Sequence, residues 1–189
     1  MKSIVSGMMF CMALMFAAAG AHADEYVDTI NVFKNAGKSA QFFNDSYGYA
    51  VFPTVGKGGL VVGAAHGTGR VYQHGRYVGD TSITQLSIGF QAGGEAFSEI
   101  IFFENKAAFD RFTAGNFELA ATVHATAITA SASASASTAG SGAGASGTQH
   151  NAATAGSYQN GVAVFTVAKG GLMYEATVAG QKFSYKPNR

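Results

Sequence analysis

Ala50-Val-Phe52 followed by Lys57-Gly-Gly-Leu60, and Ala163-Val-Phe165 followed by Lys169-Gly-Gly-Leu172, are two copies of one short pattern. Gly48 and Gly161 each stand two residues before their Ala-Val-Phe, and the second copy is one residue shorter between its blocks. β-branched and aromatic residues in a short run that ends on a glycine bend read as strand, turn, strand. Two copies imply two hairpins in equivalent places of one β fold. Glycine tolerates the positive φ such bends need, which leaves each lysine on an exposed corner.

Outward from these blocks the β pattern continues. Tyr49 to Phe52 is a strand that Pro53 should stop, and Leu60 to Val62 begins another. Gly67-Thr-Gly69 signals a turn. Val71 and Tyr72 start a short strand, which His74-Gly75 reverses into Arg76 to Val78. Ile83 to Phe90 alternates, with Ile83 and Gln85 on one side and Thr84 and Leu86 on the other. Phe97 to Phe103 is strongly apolar, and Asn105 can cap a short helix, Lys106 to Phe112, with Ala108, Phe109 and Phe112 inward. Ala120 to Ser146 is almost wholly Ala, Ser, Thr and Gly. Its period of two predicts a long strand from about Phe117 to Ser137, then a loop near 140–147, while its composition also fits a flexible linker over 129–149. Val162 to Val167, Leu172 to Val178 and Lys182 to Tyr185 complete the β content.

Ahead of the strands, Asp24 to Phe43 reads as one amphipathic helix with a stripe of Val27, Ile30, Phe33, Ala36, Ala40 and Phe43. Asp24, Glu25 and Asp28 complement the dipole of its first turn. That stripe can pack on a core or lie on a membrane surface. Earlier still, Lys2, an apolar run from Ile4 to Ala19 and Ala21-His22-Ala23 form an export signal. Residues 1–23 are expected to be a signal peptide cleaved before Asp24, leaving 24–189 as one periplasmic or secreted domain. Cys11 lies inside the signal, so the mature domain would have no thiol. The expected fold is α+β: an N-terminal helix and a short internal helix on a large antiparallel sheet, curled into a sandwich or barrel-like form.

Removing Lys2 from the twelve basic residues leaves eleven against eleven acidic ones, so the mature domain is neutral. That argues against a nucleic-acid partner, which needs a broad basic field. Gly56-Lys57-Gly58-Gly59 lacks the Ser or Thr and the following helix of a nucleotide loop. No Gly-x-Ser-x-Gly occurs, and the mature histidines, His66, His74, His124 and His150, have no metal-ligand spacing. Neither metal nor cofactor is therefore expected. Glu95, Glu99 and Glu104 lie in or beside one strand, and the first two share a side; solvation on an outer face is their ordinary role. Fifteen Phe and eight Tyr supply both packing and candidate interface rings.

The ordered set Tyr49-Ala-Val-Phe-Pro53, Lys57-Gly-Gly59, Gly93-Gly-Glu-Ala-Phe-Ser-Glu99, Asn105-Lys106 and Gly161 to Leu172 resembles the SYLF-domain family over nearly all of the mature chain. The family binds lipids, phosphoinositides in eukaryotic members, and a yeast member binds and bundles actin. In the segment matching Tyr77 to Thr81, Tyr77 supplies the aromatic and the family's proline is absent. The resemblance implies a non-catalytic domain that binds a membrane surface or acyl chain, with an anionic phospholipid as partner. Lys57, Lys169, Arg70 and Arg76 are the expected headgroup contacts; Val27, Ile30, Phe33 and Tyr77 are the expected apolar ones. An envelope module with a protein partner is the second reading, and a serine hydrolase built on one of the histidines the third.

Overall fold

A computed structural model describes residues 25–58, 62–88, 95–120, 122–128, 156–169, 178 and 180–188. The expected signal peptide with Cys11, the bend expected from Gly59, the glycines at 93–94, the Ala/Ser stretch at 129–149, His150 and the strand expected from Leu172 lie outside them.

The first helical segment is three helices rather than one: α1 over 25–35, α2 at Gly37–Ala40 and α3 at Phe42–Asp45. Ala36 is extended, at φ −86° and ψ 109°, and Gly37 follows it. The Ser39 hydroxyl donates to the Phe33 carbonyl at 2.6 Å, taking an acceptor that a continuous helix would use itself. The buried stripe is Tyr26, Ile30, Phe33, Ala36 and Phe42. Val27 falls outside it, at 56% exposure, because Tyr26 takes the inward position one residue earlier.

Eight strands follow: β1 Gly48–Gly58, β2 Val62–Gln73, β3 Arg76–Ile88, β4 Glu95–Phe103, β5 Phe117–Glu118, β6 Ala125–Ile128, β7 Val162–Lys169 and β8 Lys182–Pro187. α4, Lys106–Thr113, lies between β4 and β5, and the Asn105 side chain accepts from the Ala108 N–H at 3.0 Å, as its sequence position predicts. The strands form one sheet in the order β5-β8-β3-β2-β1-β4-β7-β6, curled into a half-barrel. All pairs are antiparallel except β6 with β7, so the sheet is mixed. Among the described residues, no helix is long and apolar enough to cross a membrane.

Three boundaries differ from expectation for identifiable reasons. Pro53 does not end β1. It sits where the register slips between Val51 and Thr54, a bulge that tolerates a residue with no N–H to donate. Gly67-Thr-Gly69 is strand rather than turn. A Cβ on Gly69 would stand 2.5 Å from Phe52 Cδ1, and one on Gly67 2.8 Å from the Thr54 carbonyl. Gly69 is bare so that the Phe52 ring can lie against the strand, and Gly67 so that Thr54, Val55 and Ile83 can close in on it. Over the described part of the strand expected from Phe117, strand appears in two short pieces, β5 and β6; its expected continuation to Ser137 lies outside the described residues.

The sheet carries an apolar core on each face. Tyr49, Val51, Ile100, Phe102, Ala163 and Phe165 meet the helix layer α1–α3. Ala50, Phe52, Val55, Phe97, Ile101, Phe103, Val162 and Val164 line the interior, where Phe109 and Phe112 of α4 and Phe183 of β8 join them. Phe112 lies 4.7 Å from Phe103 and 5.4 Å from Phe183 between ring centroids.

The twin blocks flank one strand, since β1 and β7 both pair with β4. Ala50 opposes Ile101, whereas Ala163 opposes Phe102. One residue of offset reverses every side chain. Phe52 therefore points into the interior and Phe165 toward the helices. The repeat is symmetric in sequence and inverted in facing.

Candidate functional site

Lys57 opposes Glu95 and Lys169 opposes Ala96, so the two lysines flank the start of β4 at one end of the sheet. By alternation from Val55, Lys57 leaves the interior face. Lys169 leaves the helix face, where its Nζ donates to Glu25 Oε1 at 3.4 Å and to Thr54 Oγ1. Thr54 Oγ1 also donates to Glu25 at 2.8 Å, which ties the start of α1 to this end.

Among the described residues, two of the three exposed large apolar side chains belong to segments that reach this end. Val27 lies two residues after Glu25. Leu86, 75% exposed, pairs with Ala64, which pairs with Gly58. This end of the half-barrel thus combines two lysines with two exposed aliphatic side chains.

The other expected contacts lie elsewhere. The Arg70 guanidinium stands over the helix face, 4.3 Å from the Tyr26 ring centroid and 5.2 Å from that of Tyr77. Tyr77, Tyr72 and Tyr49 form a ladder across β3, β2 and β1. Tyr77 donates to Asp80 Oδ1 at 2.7 Å; burial first and Asp80 second push its phenol up to about 12. Arg76 follows the two-residue turn at His74 and Gly75, both at positive φ, at the opposite end from Lys57. Ile30 and Phe33 are core residues under the sheet. The structure therefore brings Lys57, Lys169 and Val27 to one end, places Arg70 and Tyr77 together mid-sheet, and sets Arg76 apart.

A polar cluster inside the half-barrel was not foreseen as such. Glu99, weighed as a solvated carboxylate, is fully buried, on the interior face with Phe97 and Ile101. Its neighbours across the strands are Phe52 and Thr166. Gln181, also fully buried, donates from Nε2 to Glu99 Oε2 at 3.0 Å and toward Gln85 Oε1 at 3.5 Å. Among the described residues, Glu99 Oε1 and Gln181 Oε1 have no donor. Burial raises the Glu99 carboxyl to about 8, against a smaller lowering by Gln181. A signal existed in the strand itself: Phe97 to Phe103 is apolar on both faces, so it has no solvated side for Glu99 to occupy. The cluster can hold a proton at neutral pH. Among the described residues, no group of three His, Cys, Asp or Glu is placed to hold a metal ion.

Residues 84–188 match the family model Ysc84, described as "Las17-binding protein actin regulator". Beta cell expansion factor A of Aeromonas veronii is 26% identical over 156 residues, which cover 82% of this chain and 51% of that protein. The chain thus spans about half the length of this curated relative. With more than half of its residues inside the family model, the chain belongs to the SYLF (Ysc84) family.

Proposed function

We propose that this domain is a non-catalytic module that binds an anionic lipid surface with the end carrying Lys57 and Lys169, after export and loss of residues 1–23. The observation that carries this reading is the gathering of those two lysines with exposed Val27 and Leu86 at one end of the half-barrel. Aliphatic side chains enter the headgroup boundary while ammonium groups meet phosphate, each basic group contributing roughly 1 kcal/mol near an anionic surface. Membership in a family described by binding and regulation supports the non-catalytic part.

Co-sedimentation with phosphatidylglycerol-containing vesicles at low salt tests it. The parent domain is expected to pellet, and Lys57→Glu with Lys169→Glu to lose most of that binding. A parent domain that stays in solution with anionic vesicles, or that pellets equally with neutral ones, would overturn the reading.

A further inference from the structure

A cleft of about 490 Å³ opens at the α4 end, away from the lysine-bearing end. One wall is Glu104, Asn105 and the Arg111 face of α4; the other is the Phe117 to Ala120 segment with Val123; Asn160, Gly161 and Val162 form the floor. This volume lies within the range of small-molecule sites.

The charges inside it are arranged in an unusual way. Arg111 is anchored, its Nη2 donating to the Asn160 carbonyl at 2.9 Å. Asn160 is itself fixed, at φ 54°, with its amide donating to Thr122 Oγ1 at 3.1 Å. A Cβ built on Gly161 would stand 3.3 Å from Arg111 Nη2 and 3.9 Å from Glu104 Oε2. Two opposite charges therefore border the same small space, yet among the described residues they form no ion pair with each other. A Cβ there would also stand 3.1 Å from Ala108 Cβ, so Gly161, at φ +80°, lets the cleft floor approach both charged side chains closely. Glu118, the other carboxylate of the cleft, is already paired with Lys182 at 3.8 Å.

We propose that this cleft binds a small zwitterion, its anionic end on Arg111 and its ammonium on Glu104, with Phe117 beside them to receive an apolar side group where the ligand carries one. A guanidinium held on one side accepts a carboxylate or phosphate oxygen through its remaining N–H groups. A carboxylate nearby, unspent on that guanidinium, accepts an ammonium only a few bonds away. The shared chemistry is that of a free apolar α-amino acid or of an ethanolamine phosphate headgroup.

Backbone amide NMR of the full domain, titrated separately with four probes, decides the matter. Phenylalanine and phosphoethanolamine carry both charges; phenethylamine and 3-phenylpropionate carry one each. Saturable shifts confined to 104–111, 117–123 and 160–162 are expected with at least one zwitterion, about tenfold tighter than with either single-charge probe. The zwitterion that binds identifies the source. Arg111→Gln and Glu104→Gln are each expected to weaken that zwitterion about tenfold, with an unchanged thermal midpoint. Shifts with neither zwitterion, shifts scattered over the surface, or equal affinity for the single-charge probes would overturn the proposal. Because the vesicle assay reads the opposite end, its failure would leave this result standing.

Discussion

A carboxyl group enclosed by Phe97, Ile101 and Phe52 is more stable with its proton than without, because no nearby charge repays the lost hydration. That proton is also the one donor lacking between Glu99 and Gln181. Unfolded, the group titrates near its ordinary 4.5; folded, near about 8. Across that window the folded chain holds a proton the unfolded chain has released. Stability therefore falls as pH rises through the window, by at most about 1.4 kcal/mol per pH unit, and levels off above the folded value. Urea unfolding at pH 5, 7 and 9 is expected to show the decline. Glu99→Gln should flatten it and exceed the parent in stability at pH 9, whereas an unchanged slope in the variant would assign the effect to another group. Glu99→Ala, which removes the nearer partner of Gln181 and opens a void beside it, is expected to cost roughly 2–4 kcal/mol at pH 5.

The element scale shows how much of the fold could be read in advance. Asn105 was legible as a cap, and replacing it with Ala is expected to cost about 1 kcal/mol in thermal unfolding. The twin Ala-Val-Phe blocks revealed strands, and alternation over Ile83 to Leu86 separated the two faces but did not say that Ile83 and Gln85 are the inward pair. Gly67 and Gly69 misled because a glycine pair looks the same whether it turns the chain or makes room for a ring from the next strand. Gly69→Ala drives a methyl into Phe52 and the Val51 carbonyl, so a loss of roughly 1–3 kcal/mol is expected. Adding Phe52→Leu should return part of that loss. If the two effects simply add, Phe52 is not what the glycine accommodates. The inverted facing of the repeat was hidden too, since a register offset belongs to strand pairing and leaves no mark in either copy alone.

For the molecule as a whole, the question is which face of α1 is spent on folding. Ile30 and Phe33 are consumed by the core, and Val27 is left outside. Phe33→Ala is thus expected to lower stability by roughly 3–5 kcal/mol, whereas Val27→Asp should leave the urea midpoint within about 0.5 kcal/mol of the parent. In the vesicle assay the order reverses: Val27→Asp weakens pelleting, and a folded variant that pellets unchanged removes α1 from the contact. The cationic residues were visible in sequence, but their separation was not, because distance along a curled sheet depends on which strands become neighbours. Among the described residues that sheet stops short of meeting itself, with β5 at one margin and β6 at the other. A closed cylinder can gape only by tearing a ladder of amide bonds. Here the two margins could part with every described strand still bonded to its neighbours, resisted by ring contacts such as Phe112 with Phe183 and by the amide of Gln181 on Glu99.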